Sequence, residues 1–167
     1  RMDVLATLPI FFKLKNKRAV LAGGTDAAAW KAELLAAAGA RVVVFAAEPS
    51  EEMLAIAASP PAGTITLHRR TWQPGDLVGA AIAIGAITVD EDAAAFAAAA
   101  KAAGVPVNVI DRPAFCEFQF GAIVNRSPLV VAISTDGAAP VFGQAIRSRL
   151  EALLPAGFKR WAEAAKI

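Results

Sequence analysis

The chain has 167 residues, 56% of them hydrophobic, a formal charge of +2, one cysteine and one histidine. That length buries one core and leaves room for an appendage. The single cysteine and histidine exclude a disulfide framework and a zinc site of Cys and His ligands, and the small charge without a long basic cluster excludes a nucleic-acid footprint.

The mean hydropathy of +0.49 comes largely from alanine. No run reaches the roughly eighteen apolar residues of a spanning helix. Arg1-Met2-Asp3 opens without a secretory apolar region, so a cytoplasmic location with neither membrane nor nucleic-acid partner is expected. Any anionic partner must be met by a few placed arginines.

Leu8 to Phe12 is an apolar lead-in expected to pack on a sheet edge, and Lys13 to Lys17 is a polar turn. Ala19 to Ala22 then forms a first strand, Gly23-Gly24 turns, and after Thr25-Asp26 an alanine-rich helical pattern stops at Gly39. Against the dinucleotide fingerprint G-x-G-x-x-G/A, Gly23 takes the first place, Thr25 the second and Ala28 the third. Thr25 puts a β-branched side chain where backbone should approach a pyrophosphate most closely. On this reading Gly23, Gly24, Thr25, Asp26 and Ala28 hold the phosphates, with unpaired N–H groups at the helix start supplying the attraction. The other reading is an ordinary turn whose glycines only make the corner.

Arg41 to Phe45 is β-branched and continuous, the pattern of a parallel strand buried on both faces. The acid that usually follows such a strand to hold a ribose is replaced by Ala46-Ala47, with Glu48 slightly late, so the sequence does not decide between NAD and NADP. Ser50 caps a helix over Glu51 to Ala58, ended by Pro60-Pro61. Thr64 to Leu67 is a third strand and His68 a surface residue at its end. Ala80 to Ile84 is a fourth strand ending at Gly85, Asp90 opens a helix to Ala103, and Val107 to Ile110 is a fifth strand. Strands alternating with helices predict an α/β fold, a Rossmann-like doubly wound parallel sheet over residues 1–113.

At Asp111-Arg112-Pro113 the alternation ends. Phe115 to Phe120 alternates as a strand, Asn125 to Pro128 turns, and Leu129 to Ser134 forms a second strand, giving a small β unit over 114–139. Phe115, Phe118, Phe120, Val130 and Ile133 are more apolar surface than such a unit can bury, so a homodimer through it is expected. Helices from about Pro140 to Leu154 and from Phe158 to Ile167 make up 140–167; the last stops in mid-pattern, which suggests a longer protein.

These residues together resemble the N-terminal module of siroheme synthase, the precorrin-2 dehydrogenase and sirohydrochlorin ferrochelatase family. The resemblance rests on Leu8-Pro9-Ile10-Phe11, Gly23-Gly24 with Lys31, Asn108 to Asp111 with Pro113, Phe118 and Phe120, Arg126 to Leu129, and Ile133 to Thr135 with Gly137 and Pro140. None is specific alone; their order and spacing are. It implies NAD-dependent oxidation of precorrin-2 to sirohydrochlorin and insertion of Fe²⁺, as a substrate and not a resident metal, to give siroheme. Many members carry a methyltransferase domain after this module. Two departures fall on the nucleotide side: Thr25 replaces a third glycine, and Ile87-Thr88-Val89 replaces a more polar pair, leaving Thr88 as the cofactor contact there.

Both reactions need a group that accepts protons, and one carboxylate can serve both. The resemblance places the family's catalytic aspartate at Asp111, just past the fifth strand on the crevice side of the sheet; a turn residue before Arg112-Pro113 is the plainer reading of the same position. Ser134 and Thr135 line the tetrapyrrole pocket on the functional reading and cap the next helix on the other. Arg112 and Arg126 pair with substrate carboxylates or lie solvated, and Asn108 contacts substrate or satisfies strand-end backbone. Two further readings stay open: a chelatase with a degenerate NAD site, and a non-catalytic nucleotide-binding module of a larger methyltransferase fusion.

Overall fold

Continuous apolar runs suit strands buried on both faces, and such runs make the centre of the sheet in the computed structural model, which describes residues 1–165. β1 (Arg18–Ala22), β2 (Arg41–Phe45), β3 (Thr64–His68), β4 (Ile82–Gly85) and β5 (Val107–Val109) lie in the order β3-β2-β1-β4-β5. Every pairing is parallel. The order reverses between β1 and β4, where a doubly wound sheet opens a crevice beyond the carboxyl ends of its strands.

Alternate residues of each strand serve opposite faces. On one face Val20, Ala22, Phe45, Ala83, Val107 and Val109 form a buried cluster with Ala93, Phe96 and Ala100 of α3 (Asp90–Ala102) and with Leu77 of a 3-10 turn. Ala19, Leu21, Val42, Val44, Ile82 and Ile84 alternate with these and are buried too. The opposite face carries α1 (Asp26–Ala37), which packs against α2 (Glu51–Ala58). Alanine gives α1 both high helix propensity and a thin side, and Ala28, Ala29, Ala32 and Ala36 are buried there.

This sheet belongs to a body spanning Ile10–Phe118; Arg1–Pro9 and the chain from Gln119 onward form a second. In the second body β6 (Ala122–Arg126) and β7 (Leu129–Ile133) pair antiparallel, α4 (Pro140–Leu153) packs on β6, and α5 (Phe158–Ala164) follows. The end of the helix expected to reach Ile167 lies outside the described residues.

The alternation from Phe115 to Phe120 is not a strand. Pro113–Phe115 is a 3-10 turn, Phe115 packs on the α3 cluster, and the Cys116 thiol donates to the Val109 carbonyl at 3.1 Å. The Glu117 N–H donates to the Val107 carbonyl at 2.8 Å, so this stretch is tied to β5 and the first body ends at Phe118, beyond the expected boundary at Pro113. Within the first body the lead-in does not cover a sheet edge: Ile10 and Phe11 are exposed.

Phe96 is fully buried and meets the Trp72 ring edge-on, with centroids 5.0 Å apart. Phe96→Ala should therefore cost about 3–5 kcal/mol, measured as the shift in urea unfolding; a loss below about 1 kcal/mol would show that the α3 layer collapses to fill the space.

Candidate active site

The turn after β1 is pressed between two other loops. Gly23, at φ +112°, donates its N–H to the Phe45 carbonyl at 2.8 Å, and a Cβ on it would sit 2.8 Å from the Ala86 carbonyl oxygen. A Cβ on Gly24 would lie 2.7 Å from the Ala46 Cβ and 2.8 Å from the Pro49 Cα. Both glycines are thus required by neighbouring backbone, whatever binds there.

Beyond this turn lies a cleft of about 500 Å³ bordered by the carboxyl ends of β1, β2 and β4. Gly23, Gly24, Glu48, Trp72, Thr88 and Asp92 are among its lining residues, and Glu48 and Asp92 are the charged ones. Phe45 forms part of the wall, stacked on His68 at 5.1 Å with the Arg70 guanidinium 4.6 Å from its ring centre. The Arg70 charge is held by two 2.8 Å hydrogen bonds to Asp76, which keep that carboxyl below the usual carboxylate range. No lysine or arginine is among the lining residues, and the first residues of α1 do not line the cleft either, Ala27 bordering a different hollow.

Thr25 does not line the cleft. It stands at the α1 N-cap in extended conformation, and its Oγ1 accepts from the Ala28 N–H at 3.2 Å. Asp26 is exposed in the first turn, and Ala28 is fully buried against the sheet, as the third fingerprint position demands. The glycine turn, the helix start and an acid beyond β2 fit a dinucleotide.

Asp111 follows β5 at φ 60°, a left-handed conformation uncommon outside glycine, and is exposed. It opens not onto the cleft but onto a separate hollow of about 570 Å³ along α1, shared with Trp30, Lys31 and Leu34. Burial pushes the Lys31 ammonium below its usual range, and the Asp111 charge pulls it back up.

Asn108 is 8% exposed, and its amide donates to the Phe118 carbonyl at 2.8 Å, satisfying backbone. Arg112 is likewise engaged, donating to Ile87, Thr88 and Asp90. In the second body Arg126 donates to the Leu154 carbonyl at 2.6 Å, closing the end of α4. Ser134 accepts from the Asp136 N–H at 3.1 Å and Thr135 from the Ala139 N–H at 3.2 Å, the hydroxyl-rich turn before α4. Glu48 had the weakest sequence signal, being late after β2. Trp72 and Asp92 had none, since only the sheet order brings them to the cleft.

Fold and cleft define a dinucleotide-binding domain of the doubly wound class. Residues 10–122 match the family model described as "Putative NAD(P)-binding", and the chain belongs to that NAD(P)-binding family. It is 39% identical over 156 residues to siroheme synthase of Nitrosomonas europaea, covering 93% of this chain and 32% of that protein. Siroheme synthase of Ectopseudomonas mendocina is 40% identical over 159 residues, covering 95% and 33%. The chain spans about a third of the length of these curated relatives. Among solved structures, one titled "SirC, precorrin-2 dehydrogenase" shares the fold, with TM-score 0.70 and 22% identity over 94% of this chain and 76% of that one.

Because the Thr25 hydroxyl closes the α1 N-terminus, Thr25→Ala should destabilise by about 1 kcal/mol while Thr25→Ser stays near wild type, as read from chemical denaturation. Equal stability of all three would show that water replaces the cap at no cost.

Proposed function

We propose that this chain is the siroheme-forming module of its relatives: it oxidises precorrin-2 to sirohydrochlorin with NAD and then inserts Fe²⁺, taken as substrate, to give siroheme. The observation that carries this is the cleft at the β1–β4 reversal, bounded by Gly23-Gly24 and Glu48, in a chain about 40% identical to siroheme synthases over nearly its whole length.

The N–H groups at the start of α1 hold the pyrophosphate. Glu48 accepts from ribose hydroxyls and repels a 2′-phosphate, which favours NAD over NADP. NAD, when bound, takes up the hydride. Asp111 accepts the proton lost with it, and during metal insertion accepts protons from pyrrole nitrogens as the iron replaces them. Its left-handed backbone holds the carboxylate outward at the hollow it shares with Lys31.

The module acts as a cytoplasmic homodimer on this reading. Of the residues expected at the interface, Val130 is exposed while Phe115, Phe118, Phe120 and Ile133 are half-buried, and within the second body Val141 and Phe142 of α4 add exposed apolar surface. Sedimentation at micromolar concentration should give twice the chain mass; a monomer would remove the dimer from the proposal.

The direct test supplies precorrin-2 with NAD, with NADP or with neither, and follows the absorbance change to sirohydrochlorin. Turnover with NAD is expected; none with either nucleotide would overturn the reading. Asp111→Asn keeps the shape of the turn but accepts no proton at neutral pH, so oxidation and iron insertion should both fall by about 10²–10⁴-fold. Thermal stability should hardly change, because the residue is exposed. Stability lost in step with activity would make Asp111 a turn residue only.

A further inference from the structure

Arg112 directly follows Asp111, and its guanidinium is committed across the sheet's end. Nε donates to the Ile87 carbonyl at 3.1 Å, Nη2 to the Thr88 carbonyl and Nη1 to the Asp90 carboxylate. Ile87 and Thr88 line the nucleotide cleft, and Asp90 opens α3, whose Asp92 and Ala95 line it as well. At its other end Arg112 is held by its own backbone: its N–H donates to the Val109 carbonyl at 3.1 Å and its carbonyl accepts from the Phe115 N–H at 3.0 Å. The side chain is 28% exposed, unlike that of a solvated turn arginine. Two of the three acceptors are backbone carbonyls, so the fork sets the course of the loop itself. A lysine, with one nitrogen, cannot span all three.

We propose that Arg112 is a positioning residue that ties the turn presenting Asp111 to the loop bordering the nucleotide cleft, so that the placement of the proton acceptor and the shape of the nucleotide site are set together. This rests on reading the cleft as the NAD site and Asp111 as the proton acceptor. A left-handed aspartate persists only where its surroundings over-determine it, and an anchor on the next residue does this. The same bonds engage all three guanidinium nitrogens that the sequence offered to substrate carboxylates.

The test uses the full chain with Arg112→Lys and Arg112→Gln. Three quantities are measured: NADH affinity by calorimetry, kcat for precorrin-2 oxidation at saturating NAD, and the thermal midpoint. Lysine keeps the ion pair to Asp90 but not both carbonyl bonds, so it should fold and still fail to rescue. Both variants should bind NADH about tenfold more weakly and lose about tenfold in kcat even at saturating NAD. A lower thermal midpoint with affinity and kcat unchanged would overturn the proposal, as would a loss confined to one of the two. Failure of the wild-type chain to bind NADH would overturn the nucleotide reading beneath it, and would be seen before any variant is compared.

Discussion

Three loops meet with their backbones in contact at Gly23 and Gly24, and the rest of the first body is arranged to permit it. The Ser50 N–H donates to the Gly24 carbonyl at 2.7 Å and the Ala86 N–H to the Ala22 carbonyl at 2.8 Å, so the turn after β1 is bonded to the entry of α2 and to the exit of β4. A side chain at either glycine would enter space below van der Waals contact, and one at Gly23 would also be strained at its φ. Ala46 and Ala86 answer the same need from the facing loops, since a larger Cβ branch there would push the turn away. The crevice exists because these loops converge and then part, which is the geometry of a reversal in strand order.

The chemistry is distributed unevenly around that junction. The cleft supplies backbone donors and carboxylates, suited to a nucleotide that carries its own reactivity. The candidate proton acceptor stands apart, on the hollow along α1, with a partly buried lysine beside it. Arg112 is the covalent neighbour of that acceptor and the hydrogen-bonded neighbour of the cleft loop, so the two regions are adjacent mechanically although they open onto different surfaces.

Most of the sheet was legible from side-chain branching and capping. Arg41–Phe45 and Glu51–Ala58 have the expected ends, the latter because Ser50 accepts from the Met53 N–H and the paired prolines stop the helix. The stretch from Phe115 to Phe120 was misread because apolar alternation alone does not distinguish a strand from a turn whose aromatic residues fold back on the core, as Phe115 does from its 3-10 turn against the α3 cluster. Gly23, Gly24 and Thr88 were legible as cleft residues because each lies just past a strand. The partners of Asn108, Arg112 and Arg126 were not: a guanidinium announces five donors, but apart from the Asn125 carbonyl beside Arg126 the acceptors lie 22 to 28 residues away in sequence, and only the tertiary fold selects them. Thr25 holds the second fingerprint position in the sequence, yet its direction was set by a local competition that the helix N-terminus wins.

The central claim is that a dinucleotide seats against the α1 N-terminus in the cleft at the β1–β4 reversal. Titrating isotope-labelled chain with NAD and following backbone amide chemical shifts tests it residue by residue. The account expects the largest changes at Gly24, Asp26 and Thr88. Undisturbed amides there, with changes confined to Trp30, Lys31 and Leu34 along the hollow, would contradict it.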